Sequence, residues 1–137
     1  MKATRVAAAA AVALGTVWAL RAAQAQQPGF KRTELQRHDL NVQGREVVQA
    51  RADFDTGASI GKHTHPGEEI AYVLEGTLEV QIEGKPAMTL KAGDVFFIPA
   101  GTVHAAKNAG SGTARVLATY VVEKGKPLAA MVKVTAN

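Results

Sequence analysis

The chain has 137 residues and a formal charge of +4. Lys2, Arg5 and Arg21 lie in the first 25 residues, which contain no acid, so the remaining 112 residues carry 13 basic and 12 acidic side chains. A nearly neutral domain whose basic residues are spread among acids indicates no nucleic-acid partner. Its length allows one ordinary domain and is too small for a TIM barrel. The absence of cysteine excludes disulfides, thiolate metal sites and cysteine nucleophiles.

Residues 1–25 have the three parts of a secretory signal peptide. Lys2 and Arg5 form a charged start, Val6–Leu20 is an uncharged and mostly apolar run, and small residues at Ala23 and Ala25 suit a signal peptidase. As a helix, the run would be about 22 Å long, short of the roughly 30 Å hydrocarbon core. We expect cleavage after Ala25, export to a bacterial periplasm or beyond, and no membrane contact for the mature chain. An uncleaved N-terminal anchor is the alternative.

Residues 26–45 are polar, with charges that alternate in sign, and this pattern predicts an extended arm with room for one short strand. Residues 46–137 differ, because Val48, Ala50, Ala52 and Phe54 alternate with more polar positions, as in a strand with one apolar face. Short apolar runs separated by Gly and Pro turns then recur at Ile70–Leu74, Leu78–Ile82, Ala87–Leu90, Val95–Ile98, Val103–Ala106 and Val116–Val122. Such spacing predicts an all-β sandwich or barrel.

The run Glu69–Glu75 is apolar on both faces, with Ala71 and Val73 on one side and Ile70, Tyr72 and Leu74 on the other. A strand buried on both faces needs a second cover. Because a small barrel has little material for one, we expect a homodimer.

Three of the four histidines in residues 26–137 are placed where they could bind one metal ion. His63 and His65 leave the same face of a strand, Glu69 opens the next strand, and His104 comes from a later one. Three imidazoles and a carboxylate suit Mn, Fe, Co, Ni, Cu or Zn, and spacing does not choose among these ions. Solvent-exposed loop histidines are the alternative interpretation of the pair alone.

The glycines around these residues make the chain resemble the cupin superfamily. The first cupin motif corresponds to Gly57, His63, His65, Glu69 and Gly76, and the second to Gly93, Pro99, Gly101, His104 and Asn108. All ten positions have the family spacing, with 16 residues between Gly76 and Gly93. The resemblance covers about residues 46–122.

The resemblance implies a single-domain, double-stranded β-helix, a small jelly-roll barrel with a metal site inside. It also implies that the metal ligands are His63, His65, Glu69 and His104. Gly76 and Gly93 would occupy tight turns that favour positive φ. Asn108 would fix the following turn by hydrogen bonds from its side chain to the backbone.

The pocket is expected to be apolar around the metal, since Ala71, Val73 and Ala106 share the ligand face. The other candidates are assigned elsewhere: Tyr72 to the core or an interface, and Glu68, His38, Gln49 and Arg51 to solvent-facing positions, with a substrate-anchoring role for Arg51 as the less favoured alternative. Phe96 and Phe97, and likewise Thr119 and Tyr120, must point to opposite faces, and alternation does not say which member of each pair faces inward.

Cupins include oxygenases, isomerases, lyases and non-catalytic binding proteins, so the family alone fixes no reaction. A metal with no obvious second acid disfavours hydrolysis by an acid–base pair and favours a dioxygenase, isomerase or lyase acting on a small organic molecule. The alternative is a non-catalytic periplasmic cupin that binds a metal or small ligand for sensing or sequestration. No catalytic residue beyond the metal ligands is identified.

Overall fold

The computed structural model describes residues 27–133, which form ten β-strands and no helix. The predicted signal peptide lies outside these residues. None of the described residues belongs to a helix long and apolar enough to cross a bilayer. The strands are β1 Phe30–Asp39, β2 Arg45–Phe54, β3 Ser59–Thr64, β4 Gly67–Glu75, β5 Thr77–Ile82, β6 Met88–Lys91, β7 Val95–Ile98, β8 His104–Asn108, β9 Ala114–Glu123 and β10 Ala130–Met131.

The strands form two five-stranded sheets, and every pairing is antiparallel. One sheet has the order β1-β2-β9-β4-β7 and the other β10-β3-β8-β5-β6. Consecutive strands such as β3 and β4 therefore lie in different sheets, so the chain repeatedly crosses between the two layers. The all-β jelly-roll fold expected from the sequence is confirmed.

The N-terminal arm is more ordered than the sequence indicates. Instead of one short strand it contributes the ten-residue β1, which pairs with β2 from Phe30 opposite Phe54 to Asp39 opposite Glu46. Only Phe30 is fully buried in this edge strand. Since most of β1 is exposed, its sequence carries little of the apolar alternation by which strands are recognised.

The core lies between the sheets and follows the predicted alternation. In β2, every second residue from Glu46 to Phe54 is buried, and β9 alternates in the same way. Residues from β2, β4, β5 and β9 have almost no exposed surface, among them Val48, Val73, Leu78, Val80 and Tyr120. Period-two burial in both sheets directs one set of side chains to a common interior.

Strand β4 has one buried and one exposed face. Ala71 and Val73 are buried, whereas Ile70, Tyr72 and Leu74 are 52%, 45% and 44% exposed. The next strand, β7, forms the edge of this sheet and exposes Val95 and Phe97 beside them. The second apolar face predicted for β4 therefore lies on the outside of the sheet.

Asn108, at the end of β8, joins three segments through its buried side chain. Its Nδ2 donates to the carbonyl oxygens of Phe54, Asp55 and Gly112 at 3.1, 3.0 and 2.7 Å. Its Oδ1 accepts a hydrogen bond from the Gly110 amide at 2.9 Å. The predicted turn-fixing role is confirmed, and the side chain also ties the end of β2 to the β8–β9 turn.

Asn108→Asp should destabilise the fold, because a carboxylate oxygen would replace the amide group that faces the carbonyl oxygens. We expect a loss of about 3 kcal/mol from the lost donors and the unpaired carbonyls. Thermal unfolding followed by circular dichroism should show a midpoint lower by on the order of 10 °C. The control is Asn41→Asp, the same change at an exposed position, which should be almost neutral. Equal midpoints for the two variants would contradict this role for Asn108.

Candidate metal centre

The structure brings together the four side chains singled out in the sequence, although they come from both sheets. His63 lies in β3 and is paired with His104, the first residue of β8, in one sheet. His65 follows β3 directly, and Glu69 lies in β4 of the opposite sheet. All four side chains are buried. The site thus lies between the layers, at the point where the chain crosses from one to the other.

Gly67 allows Glu69 to reach this point. A Cβ at Gly67 would lie 2.0 Å from the carbonyl oxygen of Val121, so only glycine permits β4 to run this close to β9. Gly67 pairs with Val122, and Glu69, two residues later, pairs with Tyr120. Residues two apart in a strand share a face, so the close approach of β4 to β9 at Gly67 sets the register that directs the Glu69 side chain to the interior.

All three imidazoles are oriented by backbone carbonyl groups. The Nδ1 atoms of His63, His65 and His104 lie 2.8, 2.6 and 2.9 Å from the carbonyl oxygens of Gly61, Leu128 and Thr102. A carbonyl oxygen only accepts, so each Nδ1 carries the proton and donates it. In a neutral imidazole this leaves the Nε2 lone pair free for a metal ion.

Two of these Nε2 atoms, those of His65 and His104, lie close to Glu69. Oε2 of Glu69 lies 3.1 Å from Nε2 of His65 and 3.1 Å from Nε2 of His104. By geometric criteria the buried Nε2 of His65 has no hydrogen-bond partner among the described residues. Two ligand atoms that each lie about 2.1 Å from an ion, with an angle of about 90° at the ion, would be about 3.0 Å apart. The residues therefore fit a divalent metal ion.

The ionisation of the site agrees with such a donor set. Burial, helped by the neighbouring His104 and His65 rings, lowers the pKa of His63 to about 3, so this imidazole is neutral. Burial acts to raise the pKa of Glu69, but the adjoining His104 and His65 outweigh it and lower that pKa to about 2. The hydrogen bonds and charge on the imidazole side of the contact favour the ionised carboxylate, which is the form that binds a cation.

A small cavity of about 30 Å³ adjoins the site. His63, Glu69 and His104 line it on one side, and the other walls are mostly apolar, formed by side chains that include Phe54, Ile60, Leu78, Val80, Phe96 and Val116. Glu69 is the only carboxylate among its lining residues. The small volume and apolar walls favour a small ligand that contacts the site directly.

Arg32 and Tyr120 also line the cavity, and sequence reasoning missed Arg32 altogether. Arg32 lies in β1 opposite Ala52, on the inward face of an otherwise exposed strand. Tyr120 packs against the His65 ring, with ring centres 4.7 Å apart. Burial and the Glu69 charge raise the pKa of the Tyr120 phenol, so it keeps its proton. The sequence signal for Arg32 is its spacing of two residues from Phe30, which puts both side chains on the same face of β1.

The remaining candidates are now assigned to one face or the other. Of the two undecided pairs, Phe96 and Tyr120 face the cavity, whereas Phe97 is exposed and Thr119 is half-buried. The solvent-facing positions expected for Arg51 and His38 are confirmed: Arg51 pairs with Asp53 on the outer face, and His38 is exposed. Glu68 and Gln49 are half-buried and do not line the cavity.

Comparison with known families gives a match over most of the two sheets. The family model described as "Cupin domain" matches residues 50–120. Germin-like protein 1-1 of Oryza sativa subsp. japonica is 42% identical over 79 residues, which cover 54% of this chain and 37% of that protein. The oxalate-binding protein of Thermotoga maritima is 38% identical over 74 residues, covering 53% of this chain and 60% of that protein.

A solved structure extends the similarity to the fold. Recombinant oxalate oxidase in complex with glycolate superposes with a TM-score of 0.63 and 28% identity, covering 80% of this chain and 60% of that one. The chain therefore spans less than two thirds of the length of each of these three proteins.

Proposed function

The chain belongs to the cupin family, and from this premise we propose that it is a metal-dependent enzyme acting on a small organic molecule. The observation that carries the proposal is the set of three buried imidazoles whose Nε2 atoms are left free by backbone hydrogen bonds from Nδ1. His63, His65 and His104 could hold a divalent ion, and Glu69 would be the fourth ligand.

A divalent ion in this site would supply Lewis acidity, or redox chemistry if it is Fe, Mn, Co, Ni or Cu. The chain's own contribution is binding and exclusion of water. Apolar walls would limit the entry of water, and among the described residues the phenol of Tyr120 and the guanidinium of Arg32 are the only other ionisable groups that line the cavity. With no second carboxylate there, an oxygenase, isomerase or lyase is favoured over an acid–base hydrolase.

Small carboxylic acids are the first compounds to screen as substrates. Two of the similar proteins carry oxalate in their names, and one of these was solved with glycolate. Consumption of O₂ and loss of the added acid should be followed for the metal-loaded protein.

A second candidate function is non-catalytic binding of a metal or small ligand, for sensing or sequestration. It is favoured by the lack of a second acid in the cavity and by the name of the oxalate-binding relative. Turnover distinguishes the two, because a binding protein would hold an acid without consuming it.

We predict one divalent ion per chain in protein purified from its native compartment, and its loss on ligand substitution. His63→Ala, His104→Ala and Glu69→Gln should each lower metal affinity at least about 10-fold, because each removes a donor atom. Elemental analysis and competition with a chelator measure this. His38→Ala, a histidine on the exposed part of β1, is the matched control.

Circular dichroism shows whether each variant still folds, so that lost metal is not confused with lost structure. A wild-type protein without stoichiometric metal would contradict the proposal. So would folded His63→Ala and His104→Ala variants that retain metal as firmly as His38→Ala does.

We also propose that two copies associate through the outer face of β4 and β7. Its exposed apolar side chains are Ile70, Tyr72, Leu74, Val95 and Phe97. In the register between the strands, Ile70 is opposite Phe97 and Tyr72 is opposite Val95, so the side chains form one patch at the open edge of the sheet. A two-fold axis through this patch would cover it with the same patch of a second copy.

Phe97→Glu should convert the dimer to a monomer, because it places a charge in the centre of the patch. Light scattering after size-exclusion chromatography gives the mass. Leu35→Glu is the control, since Leu35 is 51% exposed on β1 at the opposite edge of the same sheet. The dimer interface is misassigned if the wild type is monomeric, or if Leu35→Glu dissociates it and Phe97→Glu does not.

Finally, we propose that the protein works in the periplasm or outside the cell. The charged, apolar and small-residue parts of residues 1–25 support this location.

A further inference from the structure

Arg32 differs from three other arginines of its sheet. Arg37, Arg51 and Arg115 are each within 3.1 Å of a carboxylate and have side chains that are 41–46% exposed. Arg32 makes no such ion pair among the described residues and lines the cavity beside His63 and Glu69. A guanidinium remains charged under all ordinary conditions. The chain has therefore placed a permanent, unpaired cation next to its candidate metal centre.

The position of this guanidinium is held by aromatic rings. Its Cζ lies 5.6 Å from the centre of the Phe30 ring and 5.7 Å from the centre of the Tyr120 ring. Contacts of a cation with aromatic faces at such distances are favourable but leave the N–H groups unused. The rings therefore orient the guanidinium, with the Tyr120 hydroxyl within hydrogen-bonding reach of it, but they leave its Nε without a partner among the described residues.

One donor of Arg32 is buried without any partner. Its Nε is inaccessible and has no hydrogen-bond acceptor among the described residues. A buried donor left unpaired is destabilising, and more so when the group is charged. This cost is relieved if a ligand in the cavity brings an acceptor to the guanidinium.

The charge of the site favours an anionic acceptor. With a divalent ion bound, three neutral imidazoles and the single negative charge of Glu69 leave the ion only partly neutralised, and Arg32 adds a further positive charge. A carboxylate suits this position, because its two oxygens match the planar donor fork of the guanidinium.

We propose that Arg32 binds the carboxylate of the substrate or ligand and thereby selects organic acids over neutral molecules of the same size. This inference rests on the proposed function, because it assumes that the ligand occupies the cavity beside the metal. Arg32 would contact the carboxylate, while another polar group of the same molecule faces the metal centre.

The test is a calorimetric titration of zinc-loaded protein with glycolate and with its neutral amide, glycolamide. Zinc is chosen because it has no redox chemistry to consume the ligand. The wild type should bind glycolate more tightly than glycolamide. Arg32→Met should lower the glycolate affinity at least about 10-fold, because a hydrogen-bonded charge pair is lost, and should leave the glycolamide affinity unchanged. Arg32→Lys should lie between them.

Arg51→Met is the matched control, since Arg51 lies on the outer face of β2 and pairs with Asp53; its glycolate affinity should equal that of the wild type. Unchanged glycolate affinity in Arg32→Met would overturn the proposal. So would an equal loss for glycolate and glycolamide, which would indicate only packing of Arg32 between the rings, and so would a wild type that does not bind glycolate.

Zinc content is measured separately in every sample. A wild type that retains no zinc contradicts the metal-dependent function, and the same titrations on the metal-free protein then still decide whether Arg32 selects the carboxylate. A metal-loaded Arg32→Met variant that discriminates as the wild type does contradicts the role of Arg32 alone.

Discussion

The fold places three imidazoles so that each donates a hydrogen bond from Nδ1 to a backbone carbonyl oxygen, and the rest of the site depends on this constraint. Because Nδ1 is occupied, every Nε2 lone pair points into the space between the sheets. Two of these lone pairs then face a buried carboxylate oxygen at 3.1 Å. Such an arrangement of acceptors is costly unless a proton or cation lies between them, so the hydrogen bonds at Nδ1 make the site one that a proton or a metal ion stabilises.

The jelly-roll topology makes this convergence possible, since neither sheet could supply the site alone. β3 and β8 deliver two histidines side by side, β4 of the other sheet delivers Glu69, and the segment before β10 supplies the Leu128 carbonyl that orients His65. Two contacts fix these strands. Gly67 lets β4 lie close to its neighbour β9 within one sheet, and Asn108 ties β8 of the other sheet to the end of β2. Mutations far from the imidazoles can therefore displace them by altering the spacing of the two layers.

Much of this arrangement could be predicted from the sequence, because it depends on local spacing. The histidine pair, Glu69 and His104 fall into a family pattern, and Asn108 follows its strand at a fixed offset. The role of Leu128 depends on the C-terminal segment folding back over the site, which no local pattern encodes. Arg32 was missed for a related reason: β1 is an edge strand with few buried residues, so a charged residue that faces inward there has the sequence context of a solvent-exposed one.

The inward position of Arg32 and the other ionisable groups of the cavity limit the kinds of reaction that the protein could catalyse. The cavity contains one carboxylate, and that group is engaged by two histidines, so it is poorly placed to act as a free base. The Tyr120 phenol keeps its proton because burial and Glu69 raise its pKa. The groups available to a ligand are thus donors and cations, which stabilise negative charge and do not remove protons. The proposed reaction is accordingly one in which negative charge on a bound acid is held or increased, with the chain supplying orientation and a bound ion supplying reactivity.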